Sequence, residues 1–245
     1  MPIDDAFASH EMALLYDSFN AEGPDTDFYL GLPHRPCRIL DIGSGTGALA
    51  LRLAHAGHTV TALEPAAGMM AVARARDLDG LVDWIDGNAL DFSFDTQFDL
   101  VIMTGHVFQV FLDDRETRTV LGNIHRHLAE GGRLAFESRN PDDRAYQRWT
   151  AALTRRRAVV ADIGAVEVTY ETREVSGELV TFDAVFTLEA SGRRLVSPST
   201  LRFAGRETIE ANLKATGFTR IEWIGDRDGR PFADESAEII VIAGR

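Results

Sequence analysis

The sequence predicts an α/β protein with a doubly wound, mostly parallel seven-stranded sheet and an antiparallel β insertion late in the chain. Two observations predict this fold class. Between residues 37 and 138, short apolar runs alternate with amphipathic helical patterns, which is typical of βαβ units. After Trp149, strand patterns follow one another without helices between them, which indicates antiparallel strands.

Five strands and three helices are predicted in the first part of the chain. In the last of these helices, Val120, Leu121 and Ile124 share one face, and the two glycines that follow at 131 and 132 are a stop signal. Helices that alternate with parallel strands are expected to cover both faces of the sheet. The strands span 38–42, 59–64, 82–86, 98–103 and 133–137, and the helices span 46–56, 66–76 and 114–129.

Strict alternation of apolar and polar residues predicts the strands of the β insertion. It is clearest at 166–170 and 180–188, and Ser-Gly pairs ending at Gly177 and Gly192 stand where hairpin turns are required. A helix at 206–216, ended by Gly217, and strands at 219–224 and 238–242 then complete the seven-stranded sheet.

Composition excludes several classes of partner. The net charge of −13 predicts repulsion of DNA and RNA, so we expect no nucleic-acid partner. No apolar run reaches the roughly 18 residues of a membrane span, and the N-terminus lacks the pattern of a secretory signal, so we expect a cytoplasmic protein without a membrane partner. The single cysteine, Cys37, forms no internal disulfide. His125 and His127 point to different helix faces, so no metal site is expected.

A glycine-rich loop at 41–47, Asp-Ile-Gly-Ser-Gly-Thr-Gly, leaves the first strand and enters a helix. Such loops let the backbone approach a ligand closely, so a nucleotide-like cofactor is predicted. The spacing of Gly43, Gly45 and Ala48 also fits the dinucleotide pattern. Asp41 argues against that alternative, because it would repel a pyrophosphate and attract a cofactor that has an ammonium and a sulfonium group. Glu64 ends the second strand, where it is expected to accept hydrogen bonds from a ribose diol.

These motifs, in this order, resemble those of class I, Rossmann-like S-adenosylmethionine-dependent methyltransferases over nearly the whole chain. The resemblance implies an enzyme that uses S-adenosylmethionine and leaves S-adenosylhomocysteine. The stretch 103–111 and the late β insertion further resemble a bacterial subgroup that methylates small molecules. The matching segments are 41–47, Glu64-Pro65, Gly87-Asn88-Ala89, 98–101 and 128–134.

The resemblance also implies cofactor contacts. Asp41 and the Gly43 backbone would hold the amino group and Glu64 the ribose, while Met69 would lie against the adenine. Tyr16 would close over the methionine end; Tyr16 and Met69 could equally be core residues. The remaining implied cofactor contacts are Ser44, Gly45, Pro65, Asn88, Ala89, Leu90, Thr104 and Gly105.

Methyl transfer is expected to occur by direct displacement to a small-molecule acceptor, and a general base is needed only for a protonated acceptor. His106 follows the fourth strand and is the predicted base, although it could instead pack against the cofactor. Gln109, Arg139 and Asn140 follow strand ends and are predicted to orient the acceptor.

The predicted organisation has four parts, and two other functions remain open. An NAD(P)-dependent oxidoreductase is one alternative, and a non-catalytic member of the methyltransferase fold that binds the cofactor is the other. The parts are an N-terminal helical cover at 1–36, the cofactor-binding core at 37–150, an antiparallel β cap at 151–204 and the completion of the core at 205–245.

Overall fold

The computed structural model of the protein describes residues 9–20 and 24–245. It contains a seven-stranded sheet flanked by helices and a separate four-stranded antiparallel sheet, which confirms the predicted fold class. The helices are α1 (His10–Phe19), α2 (Pro24–Leu30), α3 (Ala48–His55), α4 (Ala67–Arg76), α5 (Asp114–His127), α6 (Ala151–Thr154) and α7 (Arg206–Ala215). The strands are β1 (Arg38–Ile42), β2 (Thr59–Glu64), β3 (Val82–Asp86), β4 (Phe98–Met103), β5 (Leu128–Arg139), β6 (Arg156–Val160), β7 (Gly164–Ser176), β8 (Leu179–Leu188), β9 (Arg193–Arg202), β10 (Arg220–Ile224) and β11 (Glu238–Gly244). Short 3-10 turns lie at Val107–Val110, Pro141–Asp143 and Ala145–Arg148.

The large sheet has the order β10-β11-β5-β4-β1-β2-β3, and β11 runs antiparallel between β5 and β10. The carboxyl ends of β1, β2, β4 and β5 therefore meet at one edge, where ligands of open α/β sheets bind. Because β11 is antiparallel, its first residue, Glu238, lies directly opposite Arg139 at the end of β5. The last strand thus brings a distant carboxylate to this edge.

The fifth strand begins earlier than the sequence predicts. The helix predicted to reach residue 129 ends at His127, and Leu128 already has extended backbone angles (φ −73°, ψ 135°). Leu128 pairs with Phe98, and the register between the two strands shifts before the next pair. The Leu128 side chain is completely buried, so its packing in the core stabilises this irregular pairing. The paired glycines that read as a helix stop therefore belong to an irregular stretch of strand.

The four-stranded sheet has the order β6-β7-β8-β9, and β6 was missing from the sequence prediction. Its first residues belong to the basic run 155–157, which conceals the strand pattern because no apolar residue appears there. Arg155 forms an ion pair with Glu167 at 3.4 Å, and an Nη of Arg157 donates to Glu189 at 2.6 Å. Arg155 and Arg157 are consequently paired with carboxylates of β7 and of the turn after β8, whereas Arg156 donates to the Phe19 carbonyl.

Helix α1 links the two sheets across the glycine loop. Ala13 packs with Met69 of α4, whereas Leu15 and Phe19 pack against the four-stranded sheet. Asp17 accepts hydrogen bonds from Thr46 of the loop and Arg76 of α4. No helix within 9–20 or 24–245 is both long and apolar enough to cross a membrane.

Candidate active site

The glycine loop is shaped by close packing against its neighbours. A Cβ at Gly43 would lie 2.5 Å from the Val107 side chain, and one at Gly47 would lie 2.4 Å from the Trp84 ring. Both glycines also have positive φ angles, of 72° and 79°. Gly45 differs, because a Cβ there would meet no atom within 4 Å. The loop is thus fixed on its protein side and faces open space at Gly45.

The buried polar atoms of Asp41 and Ser44 lack partners. Asp41 is 1% exposed, and neither its Oδ1 nor the Ser44 hydroxyl has a hydrogen-bond partner among the described residues. Burial, followed by the nearby Glu64 and Glu137 carboxylates, raises the pKa of Asp41 to about 7. A buried carboxylate that lacks hydrogen-bond partners is stabilised in its ionised form by a cation that donates hydrogen bonds. These two residues therefore fit the amino group of S-adenosylmethionine.

Glu64 is held in place by backbone N–H groups. Gly45 donates to its Oε2 at 2.9 Å, and Ala66 donates to its Oε1 at 2.8 Å. Burial raises the pKa of Glu64, and the two backbone hydrogen bonds partly counteract that rise. Each carboxylate oxygen can accept a further hydrogen bond, so the group is placed to bind a diol.

A cavity of about 540 Å³ lies next to the end of β2 and has Pro65, Asn88 and Phe92 in its wall. The Asn88 side-chain oxygen accepts a hydrogen bond from Leu90 N–H at 2.9 Å. The Asn123 side chain, which the sequence analysis missed, donates to the backbone carbonyl of Leu90 at 2.7 Å. The segment that contains Ala89 and Leu90 is thus anchored beside a partly apolar cavity that suits a purine.

Tyr16 and Met69 lie where α1 meets the core. Met69 is buried between Ala13, Ala66 and Val72, so its surroundings are those of a core residue. The Tyr16 hydroxyl lies 3.6 Å from the position of a Cβ on Gly105, in the turn that Thr104 begins. Burial raises the pKa of Tyr16 to about 12, with smaller contributions from Tyr170, Glu64 and Glu137. Tyr16 therefore spans the space between α1 and the end of β4.

His106 forms a pair with a carboxylate from the opposite end of the chain. Its Nε2 lies 3.0 Å from the Glu238 carboxylate, and both side chains are largely buried. Its backbone has a left-handed conformation (φ 65°), and its N–H donates to Glu137 at 3.1 Å. Glu137 also accepts a hydrogen bond from the buried Tyr29 hydroxyl. Contact with Glu137 helps raise the pKa of Tyr29 well above its usual value, although burial is the larger cause.

Of the three predicted acceptor residues, Gln109 and Arg139 interact with each other and Asn140 does not join them. An Nη of Arg139 donates to Gln109 at 2.8 Å, and Gln109 donates to the carbonyl of Arg202 at 3.0 Å. Asn140 donates to the carbonyls of Asp234 and Ser236, at 2.9 Å and 2.8 Å. Asn140 thus fixes the loop that leads into β11.

The sequence analysis missed Glu137, Glu238 and Tyr29. A carboxylate inside the apolar run of β5 was the available signal for Glu137, because such groups are buried only when they have partners. Glu238 and Tyr29 gave no local signal, since their partners lie 132 and 108 residues away.

The chain is similar to known methyltransferases. Residues 39–132 match a family described as a methyltransferase domain. A Streptomyces protein, cypemycin N-terminal methyltransferase, is 27% identical over 218 residues, or 86% of each chain. The structure of the CcbJ methyltransferase from Streptomyces caelestis has the same fold, with a TM-score of 0.80, 19% identity and coverage of 98% of each chain.

The sugar N-methyltransferase KedS8 from a Streptoalloteichus species also shares the fold, with a TM-score of 0.74 and 18% identity; the match covers 95% of this chain and 91% of that one. The match at 39–132 includes the glycine loop, the acid that ends β2 and the segment beside the cavity. These are the parts of the chain that fit S-adenosylmethionine. The protein therefore contains a methyltransferase domain and shares the fold of S-adenosylmethionine-dependent methyltransferases.

Proposed function

We propose that the protein methylates an amine nitrogen of a small molecule and that His106 accepts the proton which that amine must lose. The proposal rests on the pairing of His106, which follows β4, with Glu238, the first residue of β11. The names of two similar proteins support it, since one is an N-terminal methyltransferase and the other a sugar N-methyltransferase. The net charge of −13 favours a small acceptor over a nucleic acid.

Cofactor binding is assigned to the first half of the sheet edge. Asp41 and Ser44 hold the amino group, Glu64 the ribose, and the cavity beside Asn88 the adenine. When bound there, S-adenosylmethionine would supply a methyl group on a positively charged sulfur, which an amine nitrogen can displace directly. Gly45 leaves room for the cofactor, since its Cα has open space in front of it.

An amine is the acceptor that makes use of the His106–Glu238 pair. An aliphatic amine is protonated near neutral pH and has no free lone pair until a base removes a proton. The Glu238 carboxylate accepts a hydrogen bond from Nε2 of His106, so the Nδ1 lone pair is the one that receives the proton. An uncharged hydroxyl acceptor would gain less from this pair, because its proton is held much more tightly.

The four-stranded sheet is assigned the role of a cap over the acceptor. Helix α1 joins this sheet to the core, and Tyr170 of β7 faces Tyr16 closely enough to raise the pKa of Tyr16. A cap in this position excludes water, so that the acceptor is held in line for displacement.

The test is a methyl-transfer assay with S-adenosylmethionine and a panel of amines, each matched to the corresponding alcohol. We expect transfer to amines, detected by mass spectrometry, and about a 100-fold fall in kcat for His106→Gln at unchanged cofactor affinity. His34→Gln is the matched control, because His34 is exposed. Transfer to alcohols alone, or tight cofactor binding without any transfer, would rule the proposal out.

A further inference from the structure

Arg139 is a partly buried cation, and most of its N–H donors have no partner among the described residues. Its guanidinium donates to Gln109 and lies 5.3 Å from the centre of the Trp149 ring. Among the described residues, no carboxylate lies within ion-pair distance of it. Burial lowers the pKa of Arg139, and the charges of Glu238 and Glu137 oppose that effect. An arginine has five N–H donors, so most of those on Arg139 are available to a ligand.

The charged groups around Arg139 are already engaged with other partners. Glu238 is its cross-strand neighbour but is paired with His106, and Glu137 binds Tyr29 and the His106 N–H. The other titratable groups that face Arg139 are the hydroxyls of Tyr16 and Tyr170. A buried cation beside engaged carboxylates is stabilised by an added anion.

An aromatic wall fixes the direction of the guanidinium. The Trp149 ring lies 4.7 Å from that of Phe182 and 5.9 Å from that of Phe203, measured between centres. Phe203 is buried, whereas Trp149 and Phe182 stay partly exposed between the core and the four-stranded sheet. Because Trp149 covers one face of the guanidinium, the edge of its planar fork remains the route for a ligand.

From this placement we infer that the acceptor bears an anionic group, a carboxylate or a phosphate, which binds Arg139 while His106 receives the proton from its amine. This inference rests on the proposed function and adds a substrate class to it. Arg139 and Glu238 face each other in the sheet, at a separation typical of about 5 Å between Cα atoms, and Glu238 contacts His106. The anion and the reacting nitrogen therefore fit within one small molecule.

The test measures acceptor binding in the presence of S-adenosylhomocysteine, so that no turnover is needed. Calorimetric titrations compare phenylalanine with phenylalaninamide, and glucosamine 6-phosphate with glucosamine. We expect the anionic member of at least one pair to bind at least about tenfold more tightly than its neutral counterpart. The first pair tests a carboxylate and the second a phosphate.

Three variants connect this preference to Arg139. We expect Arg139→Gln to abolish it and Arg139→Lys to retain part of it. Arg148→Gln, which alters an exposed arginine paired with Asp143, should leave it intact. Unchanged affinity for S-adenosylhomocysteine shows that each variant is folded.

The two proposals can fail separately. If anionic and neutral members bind alike, if no anionic member binds, or if Arg139→Gln retains the preference, the inference is overturned. Mass spectrometry of the same amines with S-adenosylmethionine tests the proposed function. A preference that depends on Arg139 without N-methylated product would leave the inference standing and remove the proposed function, whereas N-methylation of neutral amines without a preference would do the reverse.

Discussion

The two halves of the ligand-binding edge are built in opposite ways. At the cofactor half, around β1 and β2, the buried Asp41 and Ser44 have polar atoms without partners among the described residues. At the acceptor half, around β5 and β11, Glu137 and Glu238 already have partners within the protein. In the proposed function, the cofactor half therefore obtains its missing partners from a ligand, whereas the acceptor half holds its histidine in position before any ligand arrives.

Because of this difference, a carboxylate affects the stability of the free protein in opposite ways in the two halves. An ionised carboxylate without a partner destabilises the free protein and gains most from a bound cation. A carboxylate that is paired with a histidine stabilises the protein and orients the imidazole. Loss of a carboxylate should therefore affect binding in the first half and turnover in the second.

The largest expected effect is on cofactor binding in Asp41→Asn. The variant keeps the shape of the side chain but removes the charge opposite the amino group, so we expect affinity for S-adenosylmethionine to fall about 100-fold, or about 3 kcal/mol. The free protein should be no less stable at pH 7.5, because the variant has no buried charge to desolvate. Calorimetry and urea unfolding measure the two quantities.

The control for this prediction is Asp83→Asn, which alters an exposed carboxylate on β3. It should change neither affinity nor stability. If Asp41→Asn destabilises the free protein and binds the cofactor normally, Asp41 has a structural role and the contrast between the two halves fails.

The same difference explains how far the sequence could predict the site. The cofactor half comes from two short segments, the glycine loop and the acid that ends β2, and each has a local pattern that follows from backbone geometry. The fold class was predictable for the same reason, since hydrophobic periodicity is local. The prediction for Asn140 rests on its place after a strand end, and in the structure its amide donates to backbone carbonyls of the loop before β11.

The acceptor half could not be predicted in this way, because long-range pairing creates it. Glu238 reaches His106 only because β11 inserts antiparallel beside β5, and Tyr29 reaches Glu137 from α2. Strand β6 was missed for a related reason. The arginines at its start resemble a solvated surface in the sequence, and only the fold brings Glu167 to Arg155 and Glu189 to Arg157. In these cases the chemistry depends on a partner that no local pattern indicates.

A smaller effect is expected in Glu238→Gln, and it should appear in turnover. The amide keeps a hydrogen-bond acceptor near Nε2 of His106 but removes the negative charge that stabilises the imidazolium, so we expect kcat to fall about 30-fold. Glu238→Asp, which keeps the charge, should recover part of the lost turnover. Cofactor affinity should stay within about twofold.

Glu222→Gln is the matched control, because Glu222 is exposed on the neighbouring β10. A purely structural role for Glu238 would lower stability and leave Glu238→Asp no more active than Glu238→Gln. That result would remove the assignment of Glu238 as a positioning residue and weaken the contrast between the halves.

The smallest effect is the pH dependence of cofactor affinity, and it probes the ionisation of Asp41 directly. Because burial raises the pKa of Asp41 to about 7, the carboxyl group is mostly protonated at pH 6 in the free protein and must release a proton to bind an ammonium. Affinity for S-adenosylmethionine should be roughly eightfold weaker at pH 6 than at pH 7.5, and calorimetry at pH 6 in buffers of different ionisation enthalpy should detect release of nearly one proton.

The stability of the free protein should also depend on the ionisation of Asp41, and it should fall as the pH rises. A carboxyl group whose pKa is raised on folding stabilises the fold below its unfolded value near 4, and that stability is lost as the pH rises through about 7. Asp41→Asn should remove both effects, so a pH dependence that survives in this variant would place the titrating group elsewhere in the site.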